Sequence, residues 1–361
     1  MKKNDKLQLA KWAVSAAIKA GADQAAVDVS NSRDIETSVR DGQLDQLKES
    51  TQNSLSLTIY AANRYSSHST NDIRKESLGK FISEAIAMTK YLTEDEFRTL
   101  PDPKYYEGRK DIDLGIVDSA YVDVTSEQRV QLARDLEEAA RTRSDLVISC
   151  TSYYSDSTYG TAKVHSNGFE GVRDGTSFSA GAESTVKDGD KGRPSDWVWN
   201  TVRFLKDLPG STEIGREATE RALRKIGQEK IESGVYEMVV ENRSASKLLG
   251  MMNSPMRARN LQQKNSFLDG KLGEKIASEK LTIIDDPHII GGLGSRLYDG
   301  EGLTARKRTL IDKGVLKSYL IDCYYGKKLG LEPNGGSTSN VVFEYGNKSL
   351  HELVAVMTRG I

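Results

Sequence analysis

The stretch DIETSVRDGQLDQLKES, residues 34–50, decides how the first part of the chain folds. It places Asp41 and Gly42 between two strand-like runs, and an Asp-Gly pair in this setting is the strongest short-range signal for a β-hairpin. The next stretch, NSLSLTIYAANRYSSHST (53–70), predicts a second hairpin around Ala62. Strands joined by tight turns therefore form the centre of this region.

Two amphipathic helices are predicted on either side of these strands. Residues 1–22 repeat apolar side chains at helical intervals, and Gly21 suits the end of a helix. The second helix is expected to begin after a cap at Asn71 or Asp72. Its predicted buried stripe consists of Leu78, Phe81, Ile82, Ala85 and Ile86. Together these elements predict an N-terminal α/β domain over residues 1–92.

The remainder of the chain is predicted to form a linker and two further domains. Residues 93–122 are polar and contain prolines, which is typical of a linker. A middle α+β domain is expected over residues 123–230, with a helix opened by the capping-box pattern Thr125-x-x-Gln. A mostly-β C-terminal domain is expected over residues 231–361. The predicted fold class is α+β: an N-terminal α/β unit with hairpins and flanking helices, followed by mostly antiparallel-sheet units.

Local patterns add detail to the later domains. The polar segment 188–195 is expected to form a hairpin tip, and a helix is predicted from about Ser211. VYEMVVE (235–241) is predicted to be a short buried strand. The turn Asp312-Lys313-Gly314 is predicted to join two more strands.

Composition excludes several classes of partner. Lys and Arg number 51 against 52 Asp and Glu, whereas nucleic-acid-binding domains usually show a basic excess or a clustered basic face. The stretch MRARNLQQK (256–264) is interpreted as a solvated face. No stretch reaches the ~20 apolar residues of a membrane span. Neither nucleic acid nor membrane is therefore predicted as a partner.

Cysteine usage indicates the cellular compartment. Cys150 and Cys323 lie far apart in the sequence, which argues against a disulfide framework and fits a reducing cytosol. The first residues interleave apolar side chains with Lys11 and Lys19, as in an amphipathic helix and unlike a signal peptide. The expected location is the cytoplasm.

The motifs of common enzyme classes do not identify a catalytic site. HELVAV (351–356) begins with His-Glu but lacks the second histidine of an H-E-x-x-H zinc motif, so His351 is interpreted as a surface residue at a helix start. The chain contains neither a G-x-S-x-G elbow nor a G-x-x-x-x-G-K-[ST] loop. From the residues alone, no catalytic residue, no metal ligand and no cofactor is predicted.

A glycine-rich segment, IIDDPHIIGGLGSRLYDGEG (283–302), contains the candidate cleft residues. Its glycines allow a close approach of the backbone, which is useful in a binding groove. The five candidates are Asp285, Asp286, Arg296, Asp299 and Glu301. The alternative is a long loop whose charges are solvated or whose arginine pairs with an aspartate. The residues themselves leave both interpretations open.

Several ordered motifs make the chain resemble the TldD/PmbA family. They are VRDGQLDQLKESTQNSLSLTIY (39–60), SFLDGKLGEKIASEKLTIIDDP (266–287), GGLGSRLYDGEG (291–302), RTLIDKGVLKSYLIDCYYGKKLG (308–330) and TSNVVFEYGNKSLHEL (338–353). The resemblance implies soluble zinc-dependent peptidases that work as dimers, often heterodimers. TldD-like subunits of this family carry H-E-x-x-x-H on a helix and a cysteine further on. PmbA-like subunits, also called TldE-like, lack that motif. Family members usually run on beyond a segment like SLHELVAVMTRGI (349–361), so the resemblance implies that the C-terminal domain is incomplete at its C-terminal end.

The expected position of the zinc motif indicates the subunit type. Counting back without gaps from SFLDG (266–270) places the two histidines at Leu249 and Ser254 and the glutamate at Gly250. These residues supply no imidazole ligand and no carboxylate base. SASKLLGMMNSPMRARN (244–260), with a cap at its first serine and a break at Asn-Ser-Pro, therefore resembles a metal-site helix without its chemistry.

The resemblance thus implies a metal-free, PmbA-like subunit of a metallopeptidase complex, which is not an enzyme by itself. Its expected partners are a TldD-like protease subunit in a heterodimer, or a second copy in a homodimer, and an unfolded peptide. One alternative is an autonomous hydrolase that would use Asp285, Asp286 or Glu301. Another is a regulatory binding protein, in line with the family's older label as a modulator of DNA gyrase.

Overall fold

The chain folds as two compact units. A computed structural model describes residues 1–358 and 360, without the side chain of Leu249. The first unit contains residues 1–93 and 115–229, and the second contains residues 94–114 and those from 230 onward. The predicted C-terminal domain ends at Ile361, which lies outside the described residues.

The first unit is built on a six-stranded antiparallel sheet. Its strands are β1 (Gln24–Arg40), β2 (Gln43–Ala61), β3 (Arg64–Thr70), β4 (Val147–His165), β5 (Glu170–Val186) and β6 (Ser195–Val202). Their order across the sheet is β3-β2-β1-β4-β5-β6. The pairing of β1 with β4 joins the strands that precede the predicted linker to those that follow it in a single sheet.

Backbone geometry at the turns confirms the two predicted N-terminal hairpins. Between β1 and β2, φ is +48° at Asp41 and +80° at Gly42. Between β2 and β3, φ is +49° at Ala62 and +58° at Asn63. Positive φ at both central residues gives these turns the twist that antiparallel strands require. The predicted tip at 188–195 is likewise confirmed, since it joins β5 to β6.

Helices cover the apolar face of this sheet. They are α1 (Lys3–Lys19), α2 (Lys75–Thr89), α3 (Ser126–Arg141) and α4 (Ser211–Leu223), with short 3-10 turns at Ser119–Asp123 and Leu205–Asp207. One core cluster lies under α1 and α2 around Val27 and Leu57, and another lies under α3 and α4 around Tyr154 and Phe178. Successive side chains of a strand point to opposite faces of the sheet, and cross-strand neighbours share a face. The face away from the helices carries polar pairs such as Ser30–Ser54.

Helix α2 begins later than predicted. Its N-cap is Arg74, and not Asn71 or Asp72. The Asp72 carboxylate instead accepts hydrogen bonds from the backbone N–H of Arg74 at 3.2 Å and from its guanidinium at 2.8 Å. Asp72 therefore organises the turn before the helix and does not cap the helix itself.

The capping box predicted for α3 is present and leads directly to a buried ion pair. Thr125 and Gln128 exchange side-chain and backbone hydrogen bonds at the helix start. One residue later, the Arg129 guanidinium donates to both carboxylate oxygens of Asp156 on β4, at 2.6 and 3.2 Å. It also donates to the carbonyl of Val124 at 2.6 Å. These bonds offset part of the cost of taking both charges out of water.

The second unit carries a smaller antiparallel sheet. Its strands are β7 (Ile283–Asp285), β8 (Arg308–Asp312), β9 (Val315–Leu316) and β10 (Val341–Phe343), in the order β10-β7-β8-β9. Its helices are α5 (Asn242–Gly250), α6 (Asn253–Met256), α7 (Ala258–Gln262), α8 (Cys323–Leu329) and α9 (Leu350–Ala355), with a 3-10 turn at Pro103–Tyr106. The predicted turn between β8 and β9 is confirmed, with φ of +45° at Lys313 and +80° at Gly314.

The strand predicted at 235–241 is wrong. Only a single bridge, from Glu237 to Gly360, involves this segment, and Val235 is 96% exposed. Its apolar pattern fits a buried strand, but within the described residues no strand pairs along its length. Without a neighbouring strand among the described residues, the segment does not form the predicted buried strand.

Helix α5 also differs from its prediction at the start. It begins at Asn242, before the predicted cap Ser244. The carbonyl oxygen of Glu241 already accepts a hydrogen bond from the N–H of Ala245 at 2.8 Å, so the first turn precedes the serine.

The α+β fold class is confirmed, because both units combine helices with antiparallel strands. At the C-terminal side, Ser349 and Glu352 form a capping box for α9 and leave His351 exposed, as predicted for a helix-start residue. No helix within the described residues has both the length and the apolar character needed to cross a bilayer.

We expect the substitution Asp156→Ala to lower the free energy of unfolding of the first unit by about 3–5 kcal/mol, because it leaves Arg129 as an unpaired buried charge. Urea denaturation followed by circular dichroism measures this change. The control Glu220→Ala breaks an ion pair to Arg143 whose side chains are 39% and 43% exposed. That change should cost less than about 1 kcal/mol. Equal effects of the two substitutions would contradict the role given to burial.

Candidate functional site

The candidate residues lie in the second unit, around the loop 286–307 that joins β7 to β8. The antiparallel register places Asp285, the last residue of β7, opposite Arg308, the first residue of β8. Their side chains form an ion pair at 3.1 Å, in which Asp285 is 3% and Arg308 14% exposed. Asp285 is one of the candidates predicted from the sequence, and Arg308 is not among them.

Arg308 holds a distant loop against the strand ends. Its guanidinium donates hydrogen bonds to the carbonyl oxygens of Asn334 at 2.6 Å, Gly335 at 3.0 Å and Ser337 at 2.9 Å. It also donates to Asp285 through Nε at 3.1 Å. The five N–H donors of an arginine lie in one rigid plane, so this set of bonds fixes the segment 334–337.

Asp285 and Arg296 bind neighbouring residues of the same segment. The second carboxylate oxygen of Asp285 accepts a hydrogen bond from the Ser339 backbone N–H at 2.6 Å and another from the Ser339 hydroxyl. The Arg296 guanidinium donates to the carbonyl of Ser337 at 2.8 Å. Asp285 and Arg296 thus have a structural role, because their hydrogen bonds hold the segment 334–339 in place.

Asp286 lies at the start of the loop and points to a different partner. Its carboxylate forms an ion pair with Lys307 at 3.0 Å and accepts a hydrogen bond from the N–H of His288 at 3.0 Å. Partial burial raises the pKa of Asp286, but the His288 N–H and the Lys307 ammonium outweigh it and hold the pKa below its usual value. Asp286 is therefore an anion at neutral pH.

Asp299 and Glu301 form a turn that packs against the start of α8. Asp299 Oδ1 accepts hydrogen bonds from the N–H groups of Glu301 and Leu303, both at 2.9 Å. Glu301 accepts one from the N–H of Cys323 at 3.0 Å. Burial raises the pKa of Glu301 to about 7, with the negative charges of Asp299 and Asp322 adding to the effect. A pKa of about 7 suits Glu301 to proton transfer near neutral pH.

Cys323, the first residue of α8, shares this buried environment. Burial and the neighbouring Glu301 carboxylate both raise the pKa of its thiol far above the usual range. A thiol with a raised pKa stays protonated and is a poor nucleophile. Cys323 therefore behaves as a small buried side chain.

Two cavities of the second unit lie beside these contacts. Asp285, Arg296, Asp299 and Arg308 line a small one of about 20 Å³, close to the size that holds one water molecule. A larger cavity of about 410 Å³ shares the Arg308 wall. The structure thus places three of the five candidates, Asp285, Arg296 and Asp299, around one small polar space. Asp286 pairs with Lys307, and Glu301 binds the start of α8.

Counting back without gaps predicts the zinc motif at residues 249, 250 and 254, and the residue types there are not zinc ligands. Gly250 has no side chain, and the Ser254 hydroxyl and carbonyl both accept hydrogen bonds from the Asn260 amide, at 3.0 and 2.5 Å. The side chain of Leu249 lies outside the described residues. Across the rest of the described chain, no group of three or more His, Cys, Asp or Glu side chains is arranged to hold a metal ion. Zinc in proteins needs imidazole, thiolate or carboxylate ligands.

The helix at these positions is interrupted earlier than predicted. Helix α5 ends at Gly250 and α6 begins at Asn253, so the break lies at Met251 and Met252 instead of at the Asn-Ser-Pro sequence. Pro255 lies in the first turn of α6, where its missing N–H costs no intrahelical hydrogen bond.

We expect Glu301→Gln to remove a pH-dependent term from the stability of the second unit. The pKa of Glu301 is raised in the folded protein, so its stabilising contribution is complete below about pH 4.5 and is lost as the pH rises to about 7. The free energy of unfolding of the variant, minus that of the native chain, should rise by about 2–3 kcal/mol from pH 4 to pH 8. Urea denaturation at both pH values measures this gain. The exposed control Glu279→Gln should show none, and a flat difference for Glu301→Gln would refute the assignment.

Three sequence profiles of one family match consecutive parts of the chain. They describe PmbA/TldA metallopeptidase domain 1 at residues 25–89, the central domain at 121–226 and the C-terminal domain at 233–361. Among relatives, the metalloprotease PmbA of Escherichia coli O157:H7 is 27% identical over 87% of this chain and 69% of its own length. A metalloprotease PmbA homolog of Haemophilus influenzae is 24% identical over 91% of this chain and 72% of its own.

Solved structures agree with these matches. A protein of Bacteroides thetaiotaomicron VPI-5482, proposed as a modulator of DNA gyrase, is 38% identical and aligns over all of this chain and 82% of its own, with a TM-score of 0.95. TldE from Thermococcus kodakarensis shares the fold, with a TM-score of 0.80 at 22% identity over 98% of this chain and 81% of its own. The chain therefore belongs to the PmbA/TldD family of metallopeptidase-like proteins.

Proposed function

We propose that this chain is the metal-free, non-catalytic subunit of a TldD/TldE-type zinc metalloprotease complex that degrades or processes unfolded peptides. The observation that carries the proposal is the residue types at positions 249, 250 and 254, where the gapless count predicts the zinc motif. Gly250 offers no side chain, and the Ser254 hydroxyl is already hydrogen-bonded to Asn260. Leucine at position 249 has no atom that binds zinc.

The chemistry of zinc peptidases explains why these replacements matter. Such an enzyme needs about three protein ligands, a metal-bound water and a carboxylate that accepts the proton. In this proposal a TldD-like partner supplies all of them, and the present chain supplies part of the wall that encloses the peptide. The partner is a TldD-like subunit in a heterodimer, with a homodimer as the other possible assembly.

Names of relatives and the state of the cysteines are consistent with this role. The Escherichia coli and Haemophilus influenzae relatives carry the name metalloprotease, which fits a family devoted to proteolysis. Cys150 and Cys323 are free and buried, as in proteins of reducing compartments. We therefore place the complex in the cytoplasm.

Mixing the subunits tests the proposal. We expect an unfolded test peptide to be cleaved only when this chain and a TldD-like chain are combined, because neither alone provides both the zinc chemistry and the complete enclosure. A zinc chelator should abolish cleavage. A mixture in which the partner's motif glutamate is replaced by glutamine controls for contaminating peptidases. Cleavage by this chain alone in the presence of the chelator would refute the proposal.

The pKa of Glu301 favours a second candidate, an autonomous hydrolase. A carboxyl group with a pKa of about 7 can serve as a general acid or base near neutral pH. In that case the purified chain would cleave peptides in the presence of chelators, and Glu301→Gln would remove the activity. Glu279→Gln, an exposed control, would not.

The Bacteroides thetaiotaomicron structure favours a third candidate, a regulatory binding protein, since that relative was proposed as a modulator of DNA gyrase. A direct complex of this chain with gyrase, and none with a TldD-like chain, would support it. The near balance of 51 basic and 52 acidic residues gives no independent support.

A further inference from the structure

The cavity of about 410 Å³ in the second unit has a cationic wall. Four basic side chains line it: Lys104, Arg306, Lys307 and Arg308. Among the described lining residues there is no aspartate or glutamate. Clustered charge of one sign in a cleft concentrates ligands of the opposite sign, so the cavity suits an anion.

Acidic residues outside the described lining pair with three of the four cations. Arg308 pairs with Asp285 at 3.1 Å, Lys307 with Asp286 at 3.0 Å, and Lys104 with Glu332 at 3.6 Å. Lys307 and Lys104 remain 61% and 54% exposed, so their ammonium groups still face solvent. The ion pairs orient the basic groups, and the ammonium groups of Lys307 and Lys104 can still bind a ligand.

Arg306 is the member of the cluster with the most unused donors. It is exposed, and its guanidinium makes a hydrogen bond of 3.4 Å to the carbonyl of Glu107. Within the described residues it has no carboxylate partner. A guanidinium with several free N–H groups is suited to bind a carboxylate through two parallel hydrogen bonds.

The rest of the wall argues for an organic ligand. Tyr105, Leu303 and Pro333 contribute apolar surface, while Ser318 and Asn334 add polar atoms. The volume falls within the range of about 300–1,000 Å³ that is usual for small-molecule sites. A ligand with an anionic end and an apolar body would therefore satisfy both kinds of lining.

We propose that this cavity binds the C-terminal carboxylate of a peptide, with Arg306 and Lys307 as the contacts and Arg308 as a positioning residue. That the ligand is a peptide rests on the proposed function. The end of an unfolded chain carries a free carboxylate next to an apolar or polar side chain, which matches the two kinds of lining. Aspartate and glutamate side chains present the same group, so the test must separate the two sources.

Binding of labelled peptides to the full chain tests this proposal. Three versions of one unstructured peptide are compared by fluorescence anisotropy: a free C-terminal acid, a C-terminal amide, and an amide with an internal glutamate. The free acid should bind about tenfold more tightly than either amide, as expected for a charge-assisted pair of hydrogen bonds. Added salt should weaken this preference.

Matched variants locate the preference in the cavity. The double variant Arg306→Gln/Lys307→Gln should bind acid and amide alike. Arg306→Gln alone breaks no described ion pair and should lose most of the preference without disturbing Asp286. The control Lys271→Gln/Lys280→Gln removes two exposed charges of the same unit that do not line the cavity. It should keep the native preference, and circular dichroism verifies that all variants are folded.

Three results would overturn the proposal. They are equal affinity for acid and amide, equal affinity for the free acid and the glutamate-bearing amide, and an unchanged preference in the cavity variants. The outcome is independent of the mixing experiment. Cleavage by the mixed subunits without a carboxylate preference would reject this site alone, whereas a carboxylate preference without cleavage would reject the subunit role alone.

Discussion

The buried ion pair between Asp285 and Arg308 holds together the part of the second unit that carries the candidate site. Removing two charges from water costs several kcal/mol per ion, and the pair is tolerated where the remaining donors and acceptors are also bonded. Here Ser339 binds the second aspartate oxygen, and the carbonyls of residues 334–337 accept from the arginine. The pair therefore fixes a distant loop to the ends of β7 and β8, and with it one wall of the cationic cavity.

How much the sequence could predict depends on how local each interaction is. The turn at Asp41-Gly42 and the capping box of Thr125 are satisfied within a few residues, so their patterns were sufficient. The segment 235–241 has the composition of a strand, but strand formation needs a neighbour that the pattern does not specify. Arg308 was missed for a similar reason, because its pairing with Asp285 arises from strand register across the loop 286–307.

The chemistry of the candidate site also depends on tertiary partners that the local sequence does not specify. Sequence composition singled out the acidic residues of the glycine-rich segment, whereas their properties come from partners elsewhere in the chain. The His288 N–H and the Lys307 ammonium keep Asp286 ionised, while burial raises the pKa of Glu301 to about 7. Two carboxylates of one loop thus differ in protonation near neutral pH. The difference follows from tertiary packing, which no local pattern specifies.

The interactions that hold the interrupted helix are separate from those that a metal would make. Ala258 and Leu320 exchange backbone hydrogen bonds with the opposite segment, the N–H of Ala258 to Leu320 and the N–H of Leu320 to Met256, both at 2.9 Å. Met256 and Leu320 are buried in the core, and Asn260 binds Ser254. Backbone hydrogen bonds, apolar packing and the Asn260 amide thus connect this region to the rest of the unit. Under the proposed function, this chain would contribute walls and cationic contacts to a peptide-binding site, and a TldD-like subunit would supply the zinc chemistry.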